Sequence, residues 1–168
     1  MTDVPSAGRV TGSANEPHPT PAPSYGRLFL DRVSKTPDRE AFRAPNSAGG
    51  WRSLTWAQTK DEVSERSAGL LARGVNLEDR VAIMSGTRVD WILADLSEMC
   101  AGGATTTVYP TTSEDDVEYI LADSGSVIVV AEDETQLAKI NDVKGNLPDL
   151  RNVVLMDGSG DGDFVLSW

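Results

Sequence analysis

Residues Arg80 to Ala131 read RVAIMSGTRVDWILADLSEMCAGGATTTVYPTTSEDDVEYILADSGSVIVVA, and the alternation in this stretch decides the fold. Short apolar runs, Arg80 to Met84, Ala104 to Tyr109 and Ser126 to Ala131, have the length and β-branched content of buried strands. Between them, Arg88 to Cys100 and Glu114 to Ala122 carry apolar residues at helical spacing. The first of these helices places Val89, Ile92, Leu93, Leu96 and Met99 on one predicted buried face. The second opens with Ser113-Glu114-Asp115-Asp116, a serine cap followed by three carboxylates that suit the positive end of a helix.

The alternation continues in both directions. Downstream, Glu134 to Val143 reads as a helix and Asn152 to Met156 as a fourth strand, so the expected fold is α/β, a mostly parallel sheet with crossover helices. Such sheets place ligands beyond the carboxyl ends of their strands. Upstream, Thr55-Trp56-Ala57-Gln58 matches a capping box, and a helix with Trp56, Val63, Leu70 and Leu71 on one stripe runs to Arg73, where Gly74 supplies a left-handed stop. Glu40 to Ala44 and Trp51 to Leu54 form an antiparallel hairpin around the turn-rich Pro45 to Gly50. A cluster of Leu28, Phe29, Leu30 and Val33 reads as a short helix ended by Thr36-Pro37. Five of the nine prolines (Pro5, Pro17, Pro19, Pro21 and Pro23) fall within the first 24 residues, which divides the chain into a proline-rich disordered leader, 1–24, and a folded unit, 25–168.

Composition narrows the function. The 168 residues carry 15 basic and 26 acidic side chains, a net charge of −11, which repels nucleic acid, anionic lipid and phosphate ligands alike. One cysteine, Cys100, excludes an internal disulfide and suits a reducing cytoplasm. No apolar run approaches the roughly 18 residues needed to span a bilayer. The reading is a soluble cytoplasmic protein, with peripheral association with a membrane as the alternative.

Few residues have the pattern of a site. Ser85-Gly86-Thr87 offers amides to an anion after the first parallel strand, but it lacks spaced glycines and reads as an ordinary turn capped by Thr87. Tyr109-Pro110-Thr111-Thr112 ends the next strand, with Tyr109 expected to pack and Pro110 to stop the strand. Asp157 to Asp163 follows the first seven positions of a calcium loop, with Gly162 at the sixth, yet the twelfth is Trp168, so it reads as an acidic turn. Asp157 as a phosphate-accepting aspartate of a receiver-type domain lacks the acidic pair, since Ser85-Gly86 stands there. His18 lies in the leader without a partner, and Cys100 reads as a buried structural thiol. No catalytic, cofactor-binding or metal-ligating residue is assigned.

Taken together, Arg88 to Trp91 (Arg-x-x-Trp), Ala101-Gly102-Gly103, Tyr109-Pro110-Thr111 and Tyr119 to Gly125 (Tyr-Ile-Leu-x-Asp-Ser-Gly) resemble the first part of an AMP-forming acyl-CoA synthetase, most closely the long-chain fatty-acid CoA ligases. The resemblance covers about Tyr25 to Trp168. It implies an enzyme that uses ATP, Mg2+ and CoA on a fatty acid, making an acyl-adenylate and then a thioester. It also implies a partial AMP-binding domain, because the chain stops before the family's phosphate loop, adenylate-binding motifs and carboxy-terminal lysine. The expectation is an N-terminal part inactive alone, binding none of these ligands tightly, with self-association through uncovered surface. The alternative is a free-standing, non-catalytic α/β interaction module.

Overall fold

The computed structural model describes residues 23–46 and 49–168. Most of the proline-rich leader, His18 included, and the Ser47-Ala48 pair of the hairpin loop lie outside the described residues. Ser24 accepts a hydrogen bond from the Arg27 amide at 3.1 Å and starts helix α1, Tyr25–Lys35. Of its four expected core residues only Phe29 and Val33 are buried; Leu28 and Leu30 face out. Strands β1, Glu40–Pro45, and β2, Trp51–Thr55, pair antiparallel as a separate hairpin. The capping box is complete at the start of α2, Trp56–Ala72: the Gln58 amide donates to Thr55 Oγ1 at 3.2 Å and the Thr55 amide to Gln58 Oε1 at 2.9 Å. Leu71, expected on the buried stripe, is exposed, and Thr59, Val63, Ser67 and Leu70 form that stripe instead. Gly74 lies at φ +80° beyond the helix end.

The main sheet follows: β3, Arg80–Met84; α3, Val89–Ala101; β4, Ala104–Val108; α4, Glu114–Ser124; β5, Ser126–Ala131; α5, Glu134–Val143; and β6, Asn152–Leu155. A fifth strand, β7, Val165–Ser167, pairs with β6 and was not expected; three residues are too few to show a period. The order is β4-β3-β5-β6-β7, with every neighbouring pair parallel. Strand β3 comes first in sequence yet lies between β4 and β5, so the chain reverses its direction of winding there, the place where doubly wound sheets open a crevice.

Alternation along each strand divides the core. Ala82, Met84, Val129, Ala131, Val153 and Leu155 face α4 and α5, and Val81, Ile83, Ile128 and Val130 face α2 and α3. Helix α3 departs from its expected face. Leu93, Ala94, Ser97 and Glu98 are its buried residues, while Val89, Ile92, Leu96 and Met99 are half-buried. The reason is a second layer: Phe29 of α1 and Val63 of α2 pack on Leu93, so α3 is covered on two sides and no single stripe describes it. Gly102, at φ +90°, ends α3, a conformation that favours glycine.

Candidate functional site

The crevice at the reversal point is bounded by the turn after β3, Ser85 to Arg88, and the turn after β5, Glu132-Asp133. The backbone pairing runs on into these turns, with the Asp157 amide donating to the Glu132 carbonyl at 2.8 Å. The Gly86 amide, in the turn read from sequence as an ordinary one, donates to Glu132 Oε2 at 2.8 Å. The amide is thus satisfied within the protein. The Glu132 amide donates to the Met84 carbonyl at 3.0 Å, which holds the two turns together. Arg88 rather than Thr87 is the N-cap of α3, and no side chain caps the helix. The reason is that a guanidinium has only donors and cannot accept from the helix amides; it turns instead to a cluster of carboxylates.

That cluster links three segments. Arg88 Nε donates to Asp90 Oδ2 at 2.9 Å, Arg88 Nη2 donates to Asp157 Oδ1 at 3.1 Å, Arg88 Nη1 pairs closely with Asp157 Oδ2, and Glu132 Oε1 stands 3.6 Å from Nη1. The hydrogen bonds to Asp157 and Asp90 push the guanidinium further into its charged form, and Arg88 in turn holds the Asp157 carboxyl below the usual carboxylate range. Three carboxylates share one guanidinium, so the crevice carries excess negative charge. The Gly86 amide and the Arg88 guanidinium are both engaged by carboxylates of the chain itself. Asp157 thus acts as an ion-pair partner, and the next acidic residues organise a turn, with Asp161 Oδ1 accepting from the Asp163 and Val165 amides at 2.9 and 3.0 Å. Among the described residues no group of three or more His, Cys, Asp or Glu is arranged to hold a metal ion.

The rest of the carboxyl edge is different. Tyr109, expected to pack, is 72% exposed, because its strand is the sheet's outer edge and the side chain projects past it. The carbonyls of Pro110 and Thr112 accept from Lys139 Nζ of α5 at 2.7 and 3.0 Å, a contact that no local motif announces. Tyr119 is likewise exposed, and Trp91 packs half-buried against the β3–β5 face. Burial pushes the Cys100 thiol up, against a nucleophilic role. A cleft of about 380 Å³ lies beside Arg88, between the hairpin residues Phe42, Arg52 and Leu54 and the start of α3. A second, of about 520 Å³, lies on the α2 side of β6 and β7, over Ile128, Val154, Leu166 and Trp168. No helix among the described residues is long and apolar enough to cross a membrane.

With this geometry in hand, comparison with known proteins is informative. A family model described as AMP-binding enzyme matches residues 29–165. The long-chain-fatty-acid–CoA ligase FadD15 of Mycobacterium bovis is 33% identical over 112 residues, which are 67% of this chain and 19% of that protein. The long-chain-fatty-acid–CoA ligase heimdall of Drosophila melanogaster is 29% identical over 141 residues, 82% of this chain and 21% of that protein. Among solved structures, the acetoacetyl-CoA synthetase from Streptomyces lividans superposes with a TM-score of 0.75 at 22% identity, over 86% of this chain and 24% of that one. That likeness speaks for the fold. The chain spans about a fifth of the length of each of these two ligases.

Proposed function

The chain belongs to the family of AMP-binding enzymes, and on that premise we propose that it forms the amino-terminal subdomain of an ATP-dependent long-chain fatty acid–CoA ligase. The whole enzyme would activate a fatty carboxylate with ATP and pass the acyl group to the thiol of CoA. The 168-residue chain supplies the doubly wound scaffold of residues 25–168 and does not adenylate by itself. The observation that carries this reading is the match to two fatty-acid ligases, each equivalent to the chain over only about a fifth of its length.

The closed crevice supports inactivity of the chain alone. Adenylation depends on donors and a cation preorganised around the phosphates. Here the Gly86 amide and the Arg88 guanidinium are already engaged by Glu132, Asp90 and Asp157. The acidic balance and single cysteine support a cytoplasmic location.

The test is acyl-adenylate formation, trapped with hydroxylamine, by the purified chain supplied with ATP, Mg2+ and a long-chain fatty acid. The mycobacterial relative serves as the positive control. Product is expected from the relative only; product from this chain overturns the assignment of inactivity. The intact mass of the native product then tests the ligase assignment. A mass well above 18.0 kDa supports a ligase subdomain, and a mass near 18.0 kDa redirects the reading to a non-catalytic interaction module.

A further inference from the structure

Glu98 is fully buried in α3, and neither of its carboxyl oxygens has a hydrogen-bond partner among the described residues. Its surroundings are otherwise well satisfied. Its carbonyl accepts from the Gly103 amide at 2.9 Å, closing the end of α3, and the neighbouring Ser97 carbonyl accepts from Ser67 Oγ of α2 at 2.9 Å. The nearby Thr105 hydroxyl of β4 donates to Asp95 Oδ1 at 2.7 Å and not to Glu98. Asp95, one turn earlier on α3, is of like charge and opposes ionisation of Glu98.

Among the described residues no cation is paired with Glu98. On α2, Arg66 pairs with Glu62 at 3.2 Å and lies over the Trp168 ring. On α1, Arg27 pairs with Asp31 and Arg32 stacks on Trp56. The remaining charges of these two helices, Lys35, Lys60, Asp61 and Glu65, are exposed. On β1, Arg43 pairs with Glu40; before β3, Asp79 pairs with Arg151, and Arg80 donates to the Glu78 carbonyl. Strand β4 carries no charged residue.

We propose that Glu98 is a proton switch built into the fold: protonated, it stays in the dry layer where α3 meets α2 and β4; ionised, it forces α3 to loosen and admit water. Burial without a partner favours the neutral acid and holds this carboxyl well above its ordinary range. A folded-state value raised above the unfolded one means that the native chain binds the extra proton. Its stabilising contribution is complete below the ordinary carboxylate range and is lost as pH rises toward the folded-state value. Across that window one proton separates the two states, so the unfolding constant rises about tenfold per pH unit.

The experiment is urea unfolding of the 168-residue chain and its Glu98→Gln variant between about pH 5 and about pH 8. The ratio of their unfolding constants, native over variant, is expected to rise with pH above the ordinary carboxylate range, by at most about tenfold per pH unit, and to level off where the native carboxyl ionises. A ratio that does not change with pH overturns the proposal. Should Glu98→Gln fail to fold, the infrared spectrum of the native chain at neutral pH decides. The carbonyl stretch of one protonated carboxylic acid supports the switch, and its absence overturns it.

Discussion

Arg88 shows how one side chain can organise a sheet edge. Its guanidinium gathers Asp90 from its own helix, Glu132 from the turn after β5 and Asp157 from the segment after β6. Replacing it with glutamine keeps some hydrogen bonding but leaves three carboxylates facing one another. Arg88→Gln is therefore expected to cost about 1–2 kcal/mol, more than one exposed ion pair, because a network loses its only cation. The urea midpoint measures this, and an unchanged midpoint would mean that the cluster contributes nothing. Asp157 adds a pH dependence of the opposite sign to that of Glu98. Its carboxyl is held below its ordinary value, so its contribution is present above about pH 4 and fades as pH falls through the lowered folded-state value. The stability gap between the native chain and Asp157→Asn should accordingly narrow on acidification.

Among the elements, α2 ties the hairpin layer to the sheet. Its first residue, Trp56, has its ring 6.3 Å from Phe29 of α1 and 5.8 Å from Phe42 of β1, so a loosened helix start would disturb three elements together. Thr55→Ala removes the cap hydroxyl and is expected to cost about 1 kcal/mol, whereas Thr55→Ser should keep most of the stability. Equal losses for the two would place the threonine's role in its methyl group rather than in the cap. At the other end, the turn centred on Asp161 returns the chain to β6 without a helix, which is how a parallel pair forms across so short a connection.

For the whole molecule, β3 is the shared structural member, hydrogen-bonded to β4 and β5 and fully buried from Val81 to Met84. Ile83→Ala is expected to cost about 2–5 kcal/mol, with far-ultraviolet circular dichroism and tryptophan fluorescence losing signal together. Separate transitions would mean that the hairpin layer unfolds independently. Strands β3 to β6, every α-helix and the family resemblance were legible in the sequence, because periods of two and 3.6 residues and cap chemistry are local properties of the backbone. Strand β7 was not, since its pairing with β6 rather than its own three residues makes it a strand. The face of α3 was misread because a helix covered on two sides has no single stripe, and that covering is also what buries Glu98. The state of the crevice was equally out of reach: Gly86 meets Glu132 across 46 positions and Arg88 meets Asp157 across 69. The sequence by itself determined the order and type of every element but β7, their parallel winding and the family. Only the tertiary structure decided which charges meet, which acid is buried without a partner and that the Gly86 amide is bound by Glu132, because those are contacts between segments far apart in the chain.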